Sequence, residues 1–598
     1  MANSIFRTKK ISKIVADAAA NEEGHSSGLK RVLNVKDLTF FGIAAILGAG
    51  SFSSLGGAVF NGGPGVVVLF VITAIACAFT AFCYSEFASR IPVAGSAYTY
   101  AYASFGELFA WIIGWALIME YSIGNIYVAY SWSDYFTSFL HKCNIHIPEY
   151  LCTSYMEAKH AVADGSSNKE LLAAWANAPV IGSLRIILDL PALIINILIT
   201  YLVFRGIKES RNFSNVMVIL KLVVVLLVIL VGGYMVFSGG LTSNWTPTND
   251  AGIKSFMPNG FGGVMAAVSG VFFAYIGFDA VSVLAEESKN PQRDLPKGMI
   301  LSLVICTIIY ILLTLVLTGS VNYKNFDGIG DPLAFIFEPQ NLNIGWMQFL
   351  VAICAVVAMT SVLLVFQMGQ PRIWMSMSRD GLLPPVFQKI HPKFKTPSFS
   401  TIVTGLVVGV PILFTDKTFV LDFTSIATLF AFVLVCGGVL LIPRREKEAG
   451  KFHIPFINGR FVYPAIIIGA LIILAICTKD YFHNLFQLSL TQTETESITK
   501  SVSNPTAKKI QEALADALLA KRTVNISTII FWAVAIIMCI VTFIKQYSLI
   551  PLLGLTTCLY LLTGMTALNW AWFTGWLAIG LVIYFMYGFK KSKLASEV

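Results

Sequence analysis

Long apolar runs recur along almost the whole of this chain, and they constrain its fold more than any single motif does. A run of about 17–25 apolar residues is long enough to cross a bilayer as a helix. Fourteen such runs are predicted, at 37–60, 64–89, 105–139, 187–204, 211–237, 263–285, 297–320, 343–370, 398–415, 418–442, 462–478, 526–544, 549–567 and 571–588. Only 13% of the 598 residues are charged, whereas soluble domains carry about 25%. The sequence therefore predicts an all-α polytopic membrane protein.

The short loops between these runs are basic, and their charge predicts an orientation. Arg205 and Lys208 lie in one such loop, and Lys289 and Arg293 lie in another. Lysine and arginine collect on the cytoplasmic side of membrane proteins, so we predict that both termini are cytoplasmic in the plasma (inner) membrane. The first 36 residues lack the short apolar core of a signal peptide. The net charge of +9 thus reports orientation rather than a nucleic acid partner.

The first predicted span is interrupted by small residues. Positions 41–57 hold five glycines and three serines, with Gly48, Gly50 and Ser51 at the centre. Each glycine inside a helix costs about 0.5–1 kcal/mol relative to alanine. In lipid, a broken helix survives where the freed backbone groups line a cavity or bind a ligand. We therefore hypothesise that this break is half of a substrate site.

A second interruption occurs in the sixth span, where 270–279 combines glycines, aromatic residues and an acid. The first five spans and the next five would each begin with a broken helix. That arrangement is typical of transporters built from two inverted repeats, with the substrate at their interface near the middle of the membrane. The two breaks together favour a transporter, although single glycine-rich contacts are common in membrane helices.

Three of the ionisable residues inside predicted spans stand out, and such residues are functional candidates. Lys221 has long apolar runs on both sides and is either a proton-exchanging amine or a static ion-pair partner. Glu120 lies about midway along the third span. It shares a proton, meets a cationic group of the substrate, or bridges helices as a protonated carboxyl. Asp279 ends the second break, and we favour a structural role for it, holding unwound backbone amides.

Several other classes of function lack support in the sequence. All seven histidines lie in tails or loops, which removes the usual ligands of an intramembrane metal site. We find no nucleophile–base pair for an enzyme and no ring of pore-lining charges for a channel, and we predict no cofactor. Cys143 and Cys152, in the external segment 140–186, either form a disulfide or remain free thiols. In the polar external segment 481–525, the part from 507 to 521 is predicted to form an amphipathic surface helix.

Six motifs resemble those of one family: GAG at 48–50, CYSEFASRIPVAGSAYTY at 83–100, FFAYIGFD at 272–279, EESKNPQRDLP at 286–296, GQPR at 369–372 and SRDGLLP at 378–384. Together they resemble the amino acid–polyamine–organocation (APC) transporters, most closely the cationic-amino-acid-transporter-like branch. The resemblance covers about 37–480 and 545–590.

The resemblance implies an architecture and a division of the chain. It implies a LeuT-type core in 37–442, a 5+5 inverted repeat whose helices 1 and 6 are discontinuous. Four additional helices would follow in 443–588, with an external polar insertion near 481–525. The segments 1–36 and 589–598 would be cytoplasmic tails.

The resemblance also assigns a substrate site along the two breaks. The carbonyl of Ile46 would accept from the ammonium of an amino acid substrate. The amides of Ala49 and Gly50 would hold its carboxylate. The carbonyls of Phe273, Ala274 and Ile276 would complete the ammonium site, and the Phe273 ring would gate it. Ser51 departs from the branched aliphatic residue that is usual in the family.

A lysine at the position of Lys221 replaces a sodium ion in proton-coupled relatives, between the first and eighth helices. The resemblance places Thr360 and Ser361 near it and favours the proton as coupling ion. The leading hypothesis is therefore a proton-coupled amino acid symporter that works by alternating access. The alternatives are an obligate exchanger, with Lys221 as a fixed charge, and a sensor that binds an amino acid without moving it.

Overall fold

The computed structural model describes residues 7–12, 14, 33–48, 50–93, 95–164, 168–182, 184–205, 211–248, 252–394, 396–443, 451–477, 481–501 and 507–596. The described chain is mostly helical, as the apolar runs predict. Its helices up to the second break are α1 (Val35–Ile46), α2 (Leu55–Gly62), α3 (Val66–Arg90), α4 (Ser96–Ser104), α5 (Glu107–Lys142), α6 (Tyr155–Asp164), α7 (Lys169–Asn177), α8 (Leu190–Arg205), α9 (Arg211–Ser238), α10 (Gly260–Ala266) and α11 (Val268–Phe273).

The helices after the second break are α12 (Pro291–Ser320), α13 (Pro332–Phe335), α14 (Gly345–Arg379), α15 (Ser398–Ile412), α16 (Lys417–Leu441), α17 (Gly459–Cys477), α18 (Tyr481–Phe486), α19 (Gln492–Ser501), α20 (Ala507–Lys545), α21 (Leu549–Leu562), α22 (Ala567–Ile583), α23 (Phe589–Lys591) and α24 (Lys593–Ser596). A two-stranded hairpin, β1 (Val180–Ile181) and β2 (Leu184–Arg185), lies between α7 and α8.

Within the described ranges, nine helices are long and apolar enough to cross a membrane, or ten when the bent pair Gly260–Ala266 and Val268–Ser282 is one span. The longest of these stretches, Val35–Arg90, includes the first break. Three shorter apolar helices, α8, α15 and α21, accompany them. The chain is therefore a polytopic helical membrane protein.

The core of the bundle is formed by a few long helix pairs. Helix α5 packs along α14 and α16, while α12 packs against α1 and α3. The largest fully buried side chains are aromatic, among them Trp111, Tyr84 and Tyr310. The two broken stretches lie between these pairs, so their backbone is buried in protein rather than exposed to lipid, as backbone without helical hydrogen bonds requires.

The polar insertion differs from its prediction in one respect. A helix does begin at Ala507, but α20 continues without a break to Lys545, so the surface helix and the next span are one helix of 39 residues. No glycine or proline stands between Lys521 and Ile526 to end it. Lys521 instead pairs with Glu494 of α19 at 2.8 Å. Cys143 and Cys152 are both free thiols.

Described residues near both ends of the chain meet on one face of the bundle, which we call the termini face, and the opposite face is the far face. Glu107, the fully buried first residue of α5, joins these ends. The hydroxyls of Tyr584 and Ser592 donate to its carboxylate at 3.0 and 2.5 Å. The guanidinium of Arg7 lies 3.9 Å from the same carboxylate. Groups from both ends of the chain therefore compensate one buried charge.

Candidate functional site

The two breaks meet backbone to backbone. Between α1 and α2 the chain forms a π-turn over Gly50–Ser54. A Cβ atom added to Gly50 would lie 2.5 Å from the Cα of Ala274, in the second break. That distance is well inside van der Waals contact, so only glycine allows the two stretches to approach this closely. The two breaks that the sequence predicts are therefore in direct contact, and their shared substrate site stays a prediction.

The second break requires a glycine of its own. Helix α11 ends at Phe273, and a short 3-10 helix resumes only at Asp279. Gly277 between them has φ of +116°, which a residue with a side chain rarely adopts. A Cβ atom on Gly277 would lie 2.9 Å from the carbonyl carbon of Ala45 in α1. Each break is therefore shaped to fit the other stretch.

A small cavity lies against both breaks. Its walls come from α1, the two breaks, α5 and α14. All seven lining residues are apolar: Ala45, Gly50, Val128, Phe273, Ile276, Val362 and Phe366. Three of the predicted site residues, Gly50, Phe273 and Ile276, thus line one cavity. The remaining four were not singled out from the sequence.

Tyr310 of α12 joins the two breaks through its hydroxyl, and sequence reasoning missed it. Its oxygen lies 2.8 Å from the carbonyl of Ile46 and 2.7 Å from that of Ala274. The Ile46 carbonyl also accepts from the amide of Gly48 at 2.9 Å. Two of the carbonyls assigned to a substrate ammonium therefore already contact a hydroxyl. A tyrosine in the middle of an apolar span was the available signal, because its hydroxyl must find a partner there.

The small residues of the first break bond mainly within it. The carbonyl of Gly48 accepts from the amides of Ser51 and Phe52, both at 3.1 Å, and from the Ser51 hydroxyl at 3.0 Å. Ser51 is fully buried, and its hydroxyl thus stabilises the turn. A branched aliphatic residue cannot make this bond, which gives the departure from the family a local structural role. Ala49 lies outside the described residues.

Lys221 of α9 lies against the first broken helix. Its side chain is buried, and its ammonium nitrogen donates to the carbonyl of Ala44 at 3.2 Å. Ala44 is two residues before Ile46, so the lysine touches α1 just before the break. The predicted partners in α14 bond elsewhere. Thr360 accepts from the indole of Trp132 at 2.9 Å, and Ser361 donates to the carbonyl of Ala358 at 2.7 Å.

The two buried acids have different surroundings from those of Lys221. Glu120 is 4% exposed and is not among the residues that line the cavity. One of its carboxyl oxygens has no hydrogen-bond partner among the described residues. Asp279 is also buried, and its carboxyl lies against the backbone amides of Gly277 and Ala280. The position of Asp279 agrees with the structural role favoured from the sequence.

The ring of Phe273, which lines the cavity, packs against a second aromatic ring. The ring of Tyr127, in α5, packs edge-on against that of Phe273, with 4.6 Å between centroids. The ammonium of Lys417 lies 5.6 Å above the centre of the Tyr127 ring. Lys417 also forms an ion pair with Asp134 of α5. Sequence reasoning missed this arrangement because charges at the ends of spans are common in membrane proteins.

The chain matches two family models. The model described as amino acid permease covers residues 33–498, and a model of the permease C-terminus covers residues 547–592. The chain therefore belongs to the amino acid permease family.

Three relatives illustrate its place within the family. It is 40% identical to the branched-chain amino acid permease BcaP of Bacillus subtilis (strain 168) over 448 residues. This alignment covers 75% of this chain and 87% of the relative. It is 38% identical to the methylthioribose transporter of the same organism, over 78% of this chain and 91% of the relative. The vacuolar cationic amino acid transporter 2 of Arabidopsis thaliana is 31% identical, over 100% of this chain and 94% of the relative. The chain is thus a permease of the APC, cationic-amino-acid-transporter-like branch.

Proposed function

We propose that this permease carries amino acids with neutral aliphatic side chains, in symport with protons and by alternating access. One observation carries the proposal: two broken helices meet backbone to backbone at the wall of an apolar cavity. In this proposal the backbone of the two breaks binds the ammonium and carboxylate groups of the amino acid, while the cavity wall contacts its side chain. Family membership supports amino acid transport independently.

The free backbone of the breaks suits the two charges of an amino acid. The second half-helix begins at the first break, and the N-terminal end of a helix favours anions. We assign the substrate carboxylate to the amides of Ala49 and Gly50. Unwound carbonyls favour cations, so the ammonium is assigned to those of Ile46, Phe273, Ala274 and Ile276. In this assignment the ammonium takes over the contacts that the Tyr310 hydroxyl makes with Ile46 and Ala274.

The lining of the cavity argues for an uncharged side chain. A buried charge must be paired, because its desolvation is far more costly than that of a neutral group. None of the seven lining residues carries a charge, and Glu120 is not one of them. An aliphatic side chain has no charge to desolvate in such a cavity, and its transfer from water is favourable by about 0.8 kcal/mol per buried CH₂. The name of the branched-chain amino acid permease fits this argument better than that of the vacuolar cationic transporter.

Lys221 supports the proton as coupling ion. A lysine ammonium in contact with the Ala44 carbonyl stabilises the end of α1 while it is protonated. Loss of the proton removes a charge-assisted hydrogen bond to the helix that carries half of the site. Proton binding and substrate binding would thereby be linked. Thr360 and Ser361 bond elsewhere, so Lys221 alone is assigned to this coupling.

We also propose the finer architecture that the family resemblance implies. The stretch Val35–Arg90 would cross the membrane twice, at α1–α2 and at α3. With the bent pair and the three shorter apolar helices each counted as a crossing, the total becomes fourteen. The first ten would form the 5+5 inverted repeat, and the last four the C-terminal addition. The termini face would be cytoplasmic, in the plasma (inner) membrane.

A ligand screen tests the substrate class. The purified protein is melted in detergent with each of the twenty amino acids, at pH 5.5 and pH 7.5. A ligand at about 100 times its Kd adds about 2.7 kcal/mol of stability. We expect L-leucine, L-isoleucine or L-valine to raise the melting temperature, and L-lysine and L-arginine to leave it unchanged. Stabilisation by the cationic pair alone would contradict the proposed substrate class.

Uptake into proteoliposomes tests the coupling. For the wild type, a proton gradient should drive accumulation of the amino acid identified in the screen. Lys221→Ala should abolish that dependence on pH, whereas Lys545→Ala, at an exposed lysine that ends α20, should not. Proton-driven accumulation that persists in Lys221→Ala would refute the role of the lysine. Counterflow without net proton flux in the wild type would select the obligate exchanger instead.

A further inference from the structure

Four tryptophans from three helices pack together just inside the termini face. Trp115 of α5 is at the centre, and its ring stacks on those of Trp111 and, in α22, Trp576, with 5.8 and 4.7 Å between centroids. Trp374 of α14 packs edge-on against the same ring at 6.3 Å. Trp111 follows Glu107 by one helical turn, which places the group close to the termini face. We call these four residues the tryptophan cluster.

One indole of the tryptophan cluster differs from the other three. The indole of Trp111 donates to the carbonyl of Gly580 at 2.9 Å, while Trp115 and Trp576 each donate to the other's carbonyl, at 2.9 and 3.1 Å. The indole nitrogen of Trp374 has no hydrogen-bond partner among the described residues, although Trp374 is only 6% exposed. Leaving a buried donor without an acceptor is unfavourable. This donor is therefore available to an acceptor on a ligand.

Aromatic rings connect Trp374 to the outer surface of the bundle. Its ring stacks on the half-buried Phe387, in the short 3-10 helix Pro385–Gln388, with 5.1 Å between centroids. Phe387 in turn packs edge-on against Phe399, near the start of α15. Phe399 is 39% exposed. An apolar chain that lies along these two rings from the lipid side would thus reach Trp374.

The depth of Trp374 suits an interaction with a phospholipid. Trp374 precedes Arg379, the last residue of α14, by five residues. At 1.5 Å per residue it lies about 7–8 Å below the end of the helix. Tryptophan is enriched in this interfacial layer of a membrane. A glycerophospholipid presents its ester carbonyls there, and these are hydrogen-bond acceptors.

Basic side chains lie above the tryptophan cluster at the termini face. Helix α14 ends at Arg379, and α23 ends with Lys590 and Lys591. The two helix ends are in contact, because the amide of Lys593 donates to the carbonyl of Asp380 at 3.1 Å. The side chains of Lys590 and Lys591 are exposed, and neither forms an ion pair with another described residue. Both ammonium groups are therefore available to an anion.

The acid in this region is already compensated. The carboxylate of Asp380 accepts from the Lys9 ammonium at 3.2 Å and from the Tyr98 hydroxyl at 2.7 Å. It is the only acid in the sequences 379–393 and 584–596. Lys389, two residues after Phe387, is exposed and adds a further positive charge. Basic surfaces of this kind between membrane helices attract anionic head groups.

We propose that the tryptophan cluster and the lysines above it form a binding site for one anionic glycerophospholipid. The phosphate pairs with Lys590 and Lys591, an ester carbonyl accepts from the Trp374 indole, and an acyl chain lies along Phe387 and Phe399. A choline head group carries an ammonium that the same lysines repel, so the site prefers an anionic lipid. The bound lipid joins the end of α22 and α23 to α14, the helix that also lines the cavity.

The test measures melting of the purified protein in detergent micelles that contain dioleoyl-phosphatidylglycerol or dioleoyl-phosphatidylcholine. Each titration gives the mole fraction of lipid for half-maximal stabilisation, and inorganic phosphate is a third ligand. The variants are Trp374→Phe, which keeps the ring and removes the donor, and Lys590→Gln combined with Lys591→Gln. The matched controls are Trp572→Phe, at an exposed tryptophan of α22, and Lys545→Gln, at the exposed lysine that ends α20. Each shift is taken from the variant's own lipid-free melting temperature, so a loss of intrinsic stability does not imitate a loss of binding.

For the wild type, we expect the half-stabilising mole fraction of phosphatidylglycerol to be at least fivefold below that of phosphatidylcholine, and no stabilisation by phosphate. Trp374→Phe should raise the phosphatidylglycerol value at least threefold and the lysine double variant at least fivefold, while both controls keep the wild-type value. Equal values for the two lipids in the wild type would overturn the proposal, and so would a wild-type value in either variant. Stabilisation by inorganic phosphate as strong as that by phosphatidylglycerol would also overturn it, because the site would then bind a free anion.

Discussion

Replacing Gly50 by alanine tests whether the contact between the two breaks forms the site. The added Cβ would lie 2.5 Å from the Cα of Ala274 and 3.2 Å from its nitrogen. Carbon atoms pack at about 3.5–4.0 Å, so the two stretches must separate by about 1 Å. Both atoms belong to the backbone and cannot rotate away. Overpacking of this kind costs about 1–3 kcal/mol.

The assay measures melting temperature and ligand stabilisation for Gly50→Ala and for a matched control. The control is Gly57→Ala, seven residues on in α2, where an added Cβ meets nothing within 4 Å. We expect Gly50→Ala to weaken amino acid binding at least tenfold, since about 1.4 kcal/mol corresponds to a factor of ten. Gly57→Ala should bind as the wild type does. Normal binding by Gly50→Ala would refute the reasoning, because the site would then tolerate separated breaks.

Three further predictions concern other groups. Tyr310→Phe removes the hydroxyl that bridges the Ile46 and Ala274 carbonyls, and we expect thermal unfolding to show a loss of about 1–3 kcal/mol; unchanged stability would contradict the bridge. Burial, and secondly the electrostatic interaction with Asp134, raises the pKa of the Glu157 carboxyl from 4.5 to about 7. The folded state therefore binds this proton more tightly than the unfolded state does, and the free energy of unfolding falls as pH rises from 4.5 through about 7. Glu157→Gln should therefore have a higher melting temperature than the wild type at pH 8 and the same melting temperature at pH 4. A difference in melting temperature that does not change with pH would contradict this sign. Val362→Phe places a larger side chain in the lining of the cavity. It should weaken the binding of L-isoleucine at least tenfold and leave the binding of glycine unchanged. Equal losses of affinity for both ligands would argue against a side-chain pocket.

The composition and spacing of the sequence reveal the broken helices but not what completes them. Gly48, Gly50 and Gly277 stand out because glycine is costly inside an apolar helix, so the breaks are visible without any knowledge of tertiary structure. Tyr310 and Lys417 are ordinary residues for a span and for a span end. Their roles depend on partners more than 250 positions away, Ile46 and Asp134. Such pairings leave no periodic signal in one sequence.

The predicted partners of Lys221 show the same limit. Its depth in an apolar run marks it as unusual, and the structure places it beside α1, at the Ala44 carbonyl. Which face of α14 meets which neighbour depends on how that helix is rotated in the bundle. Thr360 bonds with Trp132 in α5. The sequence lists the residues of a helix, whereas the rotation is determined by packing against several other helices at once.

The buried carboxylate at the start of α5 has a consequence for biosynthesis. Glu107 emerges from the ribosome early, yet its partner Ser592 follows 485 residues later. At synthesis rates of about 5–20 residues per second, the carboxylate waits roughly 25–100 s for that hydroxyl. Until then the termini face cannot be completed, whatever the earlier helices have done. A chain that stops before Tyr584 lacks both hydroxyls and leaves this buried carboxylate without two of its hydrogen bonds.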